Sequence, residues 1–398
     1  GWRPDGRGGP GLKGWSMGLL EWLNEEVERG SFPGAVAGVM KDGEVVFRKA
    51  VGAMGPKGPP MREDALFRVY SMTKPWTSLL ALSFVEEGRL SLLDPVELYF
   101  PQFRPMVAVE EGEGFRLEPP RRPVLVYDLL RHTSGLTYGV FFQSPVKRLY
   151  LEAGVDLMNQ TREEFLEALF RLPLRFQPGS TFEYGLSTDL LGHLLEELAG
   201  EDLDRLMRKR LFEPLGMKDS GFAADEARLA QPFPQDPETQ APIRLIPPKP
   251  KEGRCVGGAG GFSTLDDYLR FAEALRTRLG PVSRALLDFM QEDHLGPLYP
   301  GVLARGEEYT PGPGYTFGLG VAVRKEASLS PGNPGEVNWA GLAGTYFFVD
   351  PKAGLSAVLL VQAPSLLSVM RPDGAFFSRL GQKMWLRFRT LVYAAYGA

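Results

Sequence analysis

The sequence predicts an α/β protein of the α+β type: one antiparallel sheet built from both chain ends, flanked by helices, with a mostly helical subdomain between. Three observations predict it. Near the start, the β-type runs Ala35–Met40 and Val45–Val51 are joined by Lys41-Asp42-Gly43-Glu44, and Asp-Gly between apolar runs signals a hairpin. Near the end, Tyr315–Val323 and Tyr346–Val349 read as strands, and Asp350-Pro-Lys-Ala-Gly354 turns the chain into another, Leu355–Val361. In the middle, apolar residues recur mostly at helical spacing. Residues 12–66 and 255–398 are therefore expected to form the sheet domain and 67–254 the helical subdomain, with the active site at their junction.

The 398 residues are 43% hydrophobic and 24% charged, the balance of an ordinary globular protein with room for two subdomains. A net charge of −4 gives no reason to expect nucleic acid or an anionic membrane as partner. The single cysteine, Cys255, excludes an intrachain disulfide framework and reads as a small buried apolar residue. His132, His193 and His294 lack metal-ligand spacing, so no zinc site is expected. The apolar run from Leu355 to Met370 is broken by Gln362 and Pro364 and is too short to span a bilayer. The first residues hold no apolar leader core, which favours a cytoplasmic protein, although a start at Gly1 rather than Met leaves room for an upstream piece.

In chain order, Gly14-Trp-Ser16-Met-Gly18 matches the Gly-x-Ser-x-Gly nucleophile elbow, but a Gly/Pro-rich tail stands where the elbow needs a strand. Ser16 reads instead as a helix start before the amphipathic Leu19, Leu20, Leu23 and Val27. After the hairpin comes the stretch Phe67–Gly88. Its positions Leu79, Leu80, Leu82, Phe84 and Val85 are dense enough for a helix buried on most sides, closed by Gly88. Ser71 and Lys74 fall at the beginning, three apart and so on one face of a helical turn. Backbone N–H groups there favour negative charge developing on the serine. Burial disfavours an ammonium, which suits an interior lysine to base work. A second copy, Ser144-Pro-Val-Lys147, reads as an ordinary helix start, with Ser144 as N-cap and Pro145 at the first helical position.

The region from Leu90 is loop-rich, with a charged surface stretch at Glu110–Arg122. Asp128–Tyr138 reads as a short helix ending in a turn, with His132 a hydrogen-bonded structural residue rather than a base. The turn Gln177-Pro-Gly-Ser180 leads to Tyr184, and two amphipathic helices follow over Leu190–Leu198 and Leu203–Leu211. Ala223–Gly253 is rich in proline and charge without a period, as in long loops that cover a site or move. Gly257-Gly-Ala-Gly-Gly261 has no preceding strand, so close backbone approach explains it better than a phosphate cradle. Ser263-Thr-Leu-Asp266 reads as a capping box, and a helix from Phe376 to Tyr396 ends the chain.

On these residues the chain resembles the penicillin-recognising serine hydrolases. Ser71-Met-Thr-Lys74, Tyr184 after a Pro-Gly turn, and Trp339-Ala-Gly341-Leu-Ala-Gly-Thr-Tyr-Phe-Phe-Val-Asp-Pro351 stand in that family's order. It is most similar to the class C β-lactamase-like group, which includes the family VIII carboxylesterases. Asp128–Leu136, Phe212–Met217 and Gly257–Gly261 fit the same running pattern, and the resemblance extends from near Pro33 to Gln362. It implies a β-lactamase/transpeptidase-like fold with Ser71 as the acylated nucleophile and Lys74 as its base or activator. Tyr184 would pass the proton to the leaving group and activate water, and the backbone N–H groups of Ser71 and Leu342 would form the oxyanion hole. Trp339, Gly341 and Tyr138 would bind substrate, with Phe141 and Phe142 lining the pocket beside Tyr138.

Two positions depart from the β-lactamase pattern. Tyr-x-Asn becomes Tyr184-Gly-Leu186, which removes an amide partner for a peptide-like side chain. Lys-Thr-Gly or His-x-Gly becomes Trp339-Ala-Gly341, which removes the cation that would hold a substrate carboxylate. Both are features of the esterase branch. The sequence thus predicts a serine hydrolase cleaving carboxylic esters through an acyl-enzyme, its partner a small-molecule ester, with no metal or organic cofactor implied. A β-lactamase or D-alanyl-D-alanine carboxypeptidase is the alternative among enzymes. A catalytically silent binding protein on the same fold is the alternative outside them, and an intact Ser71, Lys74 and Tyr184 set argues against it.

Overall fold

Asp42 and Gly43 both adopt positive φ, 51° and 85°, as a two-residue turn matched to the strand twist requires. They join β1 (Gly34–Lys41) to β2 (Glu44–Gly52), and the Asp42 N–H is fixed by the Gly354 carbonyl at 2.8 Å. The structure is a computed structural model that describes residues 18–140, 143–298, 311–364 and 381–398. From this hairpin the chain passes through β3 (Phe67–Tyr70), β4 (Val107–Glu111), β5 (Gly114–Glu118) and β6 (Gly261–Ser263). It then returns to the sheet as β7 (Tyr315–Phe317), β8 (Ala322–Arg324), β9 (Val337–Ala340), β10 (Tyr346–Asp350) and β11 (Leu355–Val361).

The seven-stranded sheet runs β2-β1-β11-β10-β9-β8-β7, every neighbouring pair antiparallel. It is thus built from both chain ends, as expected. Side chains alternate between its faces. Leu355, Ala357, Leu359 and Val361 pack with α1 (Leu19–Glu28) and the C-terminal helix Gln382–Tyr396, while Val358 and Leu360 join the core on the opposite face. That opposite core also takes in α2 (Lys74–Glu86), α3 (Val126–Arg131), α4 (Pro145–Ala153), α5 (Arg162–Phe170), α6 (Ser187–Ala199) and α7 (Leu203–Met207). After the short α8 (Glu213–Leu215), α9 (Leu265–Thr277) lies against the sheet, and α10 (Arg284–Met290) follows. Among the described residues no helix is long and apolar enough to cross a membrane.

Three local expectations are corrected. The single strand over Tyr315–Val323 is two strands, because Gly318 and Gly320 open a turn in which the Gly318 N–H donates to Val321 O at 2.8 Å. Gly320 sits at φ 85°, and a Cβ there would lie 2.4 Å from Ser78 Oγ on α2. The charged stretch at Glu110–Arg122 is not plain loop: much of it forms the β4–β5 hairpin. The cap of α9 is shifted by one residue, since Ser263 belongs to β6 and Thr264 Oγ1 accepts from the Asp267 N–H. The last helix is described from Gln382, so its expected first residues, like Ser16, Phe141 and Phe142, lie outside the described residues.

Candidate active site

The strand β3 pairs antiparallel with β6 and delivers the chain to Tyr70, whose φ of 44° and ψ of −121° are unusual for a residue with a side chain. This conformation turns the chain from strand into a single 3₁₀ turn, Ser71–Thr73, which runs on into α2. Ser71 is therefore not the cap of an α-helix; it opens a tighter turn one step before it. Tyr70 is anchored by its hydroxyl, which accepts from the Ile246 N–H at 2.9 Å. Arg68 holds the same segment, its Nε donating to Ile246 O at 2.6 Å. The proline-rich stretch 223–253 is thereby tied to the back of the turn that carries Ser71.

Three groups converge at this turn. Lys74 Nζ lies 3.1 Å from Ser71 Oγ, and the Tyr184 hydroxyl donates to the same oxygen at 2.6 Å. Lys74 is fully buried, yet its three donors meet three acceptors: Ser71 Oγ, Tyr138 Oη at 2.7 Å and the Gly258 carbonyl at 2.8 Å. The ammonium also sits 4.6 Å from the centre of the Tyr184 ring. The glycine run 257–261 thus contributes a carbonyl, and Gly261 lies where a Cβ would be 2.6 Å from the Trp76 ring. Close approach is the reason for glycine there.

Tyr184 is gripped on both sides by His132. The Glu183 N–H donates to His132 O at 2.9 Å, and the Gly185 N–H to His132 Nδ1 at 3.4 Å. His132 ends α3 in the left-handed region at φ 57°. Burial, with Lys74 adding to it, holds the imidazole well below its ordinary pKa, so it stays neutral. It is a structural residue, as expected. Around Tyr184 the rings of Tyr138, His132 and Trp339 lie at 5.2, 5.1 and 5.0 Å. Trp339, on β9, stands edge-on to both Tyr184 and Phe317 and forms an apolar wall. Tyr138, expected at the pocket, directs its hydroxyl to Lys74, and burial pushes its pKa well above the usual phenol value.

Gly341 explains how β9 reaches Ser71. A Cβ there would lie 2.4 Å from Val69 O on β3, so only glycine allows the two strand ends to come this close. The turn that follows carries Leu342. Neither the Ser71 nor the Leu342 backbone N–H donates to any acceptor among the described residues, which leaves both available to an incoming oxygen. Among the described residues no cluster of His, Cys, Asp or Glu could hold a metal. Sequence reasoning missed the Gly258 carbonyl and the grip of His132 on Tyr184. Both depend on contacts between distant parts of the chain, and no local pattern signals them.

The sequence profile of the beta-lactamase family matches residues 20–375. Esterase EstB of Burkholderia gladioli is 37% identical, covering 82% of this chain and 85% of that protein. Lovastatin esterase of Penicillium rubens is 29% identical, over 94% of this chain and 97% of its own. Among solved structures, EstCE1, described as a hydrolase with promiscuous acyltransferase activity, superposes with a TM-score of 0.76 at 28% identity, covering 93% of this chain and 96% of that one. With a profile match over most of its length and esterase relatives on nearly all of it, this chain belongs to the beta-lactamase family.

Proposed function

We propose that this chain is a serine hydrolase that cleaves carboxylic esters through an acyl-enzyme on Ser71. The observation that carries the reading is the convergence of Lys74 Nζ and Tyr184 Oη on Ser71 Oγ, at 3.1 and 2.6 Å. In the reactive state Tyr184 is the base, with Lys74 Nζ 4.6 Å from the centre of its ring. It takes the Ser71 proton as Oγ forms a bond to the ester carbonyl carbon. The carbonyl oxygen becomes an oxyanion held by the N–H groups of Ser71 and Leu342. Collapse breaks the C–O bond to the alcohol, and Tyr184 returns its proton to that leaving oxygen. A water then repeats the sequence against the acyl carbonyl, with Tyr184 as base, and releases the acid and Ser71.

Trp339 shapes the choice of substrate. It offers an apolar surface where a carboxylate-binding cation would stand in a β-lactamase, so the site suits small neutral esters with alkyl or aryl groups. Incubation with a fluorophosphonate, followed by peptide mapping, tests the reading. The label is expected on Ser71 together with loss of p-nitrophenyl butyrate hydrolysis; a fully labelled, fully active enzyme would overturn it.

A further inference from the structure

The second Ser-x-x-Lys has no part in the chemistry above, yet its lysine is buried. A lysine taken from water is costly unless its donors are satisfied. Lys147 Nζ donates to Tyr138 O at 2.7 Å and to Thr137 Oγ1 at 3.1 Å. Thr137 Oγ1 in turn donates to the same Tyr138 carbonyl at 3.3 Å. From the loop after α4, Asp156 Oδ2 accepts the Val140 N–H at 2.7 Å. Between them, Gly139 passes so near α4 that a Cβ would lie 2.4 Å from Leu151 N. The backbone on both sides of Tyr138 is thus held by the side chains of one buried lysine and one aspartate, on the Tyr138 carbonyl and the Val140 N–H. The side chain so held supplies the acceptor 2.7 Å from Lys74 Nζ.

We propose that Lys147 and Asp156 are positioning residues for the reaction: they clamp the Tyr138 backbone from α4 and the loop after it, and so fix the hydroxyl that aims Lys74 at Ser71. The inference rests on the Ser71–Lys74–Tyr184 reading above. The lysine of the second motif thereby serves the first, through one intervening tyrosine. Displacing a catalytic group by about 1 Å costs on the order of 100-fold in rate, so a loosened Tyr138 should be felt in kcat while substrate binding changes little.

The test is a double-mutant cycle on p-nitrophenyl butyrate hydrolysis. Lys147→Met should lower kcat about 10- to 100-fold with KM within about threefold. Tyr138→Phe removes the acceptor itself and should cost a similar amount. If Lys147 acts through Tyr138, adding Lys147→Met to Tyr138→Phe should cost less than about threefold more. Losses that multiply fully would overturn the clamp, because a general structural role is felt whether or not Tyr138 has its hydroxyl. Asp156→Asn approaches the same backbone from the other side and keeps the argument testable if Lys147→Met does not fold. Its kcat loss should likewise vanish in the Tyr138→Phe background, and a loss that persists there counts against the proposal. Fluorophosphonate mapping of the wild type separates the two layers. Label on Ser71 with multiplicative losses overturns the clamp alone, whereas label on another residue overturns the catalytic reading and the clamp with it.

Discussion

The chain carries Ser-x-x-Lys twice, and the two copies do different things. At the first, a strained Tyr70 opens a 3₁₀ turn, and the Ser71 hydroxyl lies 3.1 Å from its own lysine. At the second, Ser144 is extended at φ −151° and caps α4, accepting the Lys147 N–H at 3.2 Å and donating to Glu110 at 2.7 Å. Its lysine turns away, toward the backbone of Tyr138. The spacing is identical, but Ser71 opens a 3₁₀ turn after a residue at positive φ, whereas Ser144 is itself the extended cap of an α-helix. A motif of this kind has chemical meaning only with its entry geometry and its third partner, which here is Tyr184.

The largest expected contrast between the copies is in turnover. Ser71→Ala should lower kcat about 10³-fold or more, the scale on which loss of a nucleophile is felt. Ser144→Ala should change kcat by less than about threefold. A nucleophile-directed label mapped to Ser144 would dissolve the distinction. The next effect concerns the partners. Lys74→Ala and Tyr184→Phe should each cost about 10²- to 10⁴-fold, the range for proton-transfer groups. Groups that act as a unit give non-additive losses, so the double variant should be little worse than the poorer single one. Steady-state kinetics showing multiplied losses would mean separate roles.

How much of this was legible in the sequence follows from the range of each interaction. The Asp42–Gly43 turn was legible because two adjacent residues determine it. The buried α2 was legible from its apolar density, and the meeting of Ser71, Lys74 and Tyr184 from the family pattern. The split between β7 and β8 was not: Gly318 and Gly320 lie in an apolar run, and the close approaches to Met290 O and to Ser78 come from other parts of the chain. Lys147 was read as part of an ordinary helix start, which is correct for its backbone and silent about its side chain. Its acceptor at Tyr138 is set by the packing of α4, and Lys74's acceptor at Gly258 lies 184 residues away in sequence.

A smaller effect is expected at the Trp339 wall of the site. Where Trp339 stands, a substrate carboxylate loses water and gains no charge-assisted hydrogen bond, a deficit of roughly 1.5–3 kcal/mol, or about 10- to 100-fold. Short p-nitrophenyl esters should therefore exceed cephalosporins in kcat/KM by at least about tenfold. Trp339→His should narrow the ratio. Equal turnover of a cephalosporin and p-nitrophenyl butyrate by the wild type would remove the role given to this wall.

The smallest expected effect is at the second serine, and it is one of stability. Ser144 Oγ satisfies the Lys147 N–H at the start of α4, a donor that would otherwise lack an intrahelical partner. Removing an N-cap hydroxyl costs about 1 kcal/mol. The loss should not be greater, because Glu110, which also accepts the Val146 N–H at 3.2 Å, remains on the same turn and stays paired with Arg175. Ser144→Ala should thus lower the urea midpoint with no change in slope, since the surface exposed on unfolding is the same. It should leave the ester kinetics close to those of the wild type, because the Lys147 side chain keeps its hold on the Tyr138 carbonyl. If Ser144→Ala instead left the urea midpoint unmoved and abolished turnover, the second copy would be catalytic, and the assignment of chemistry to the first alone would fall.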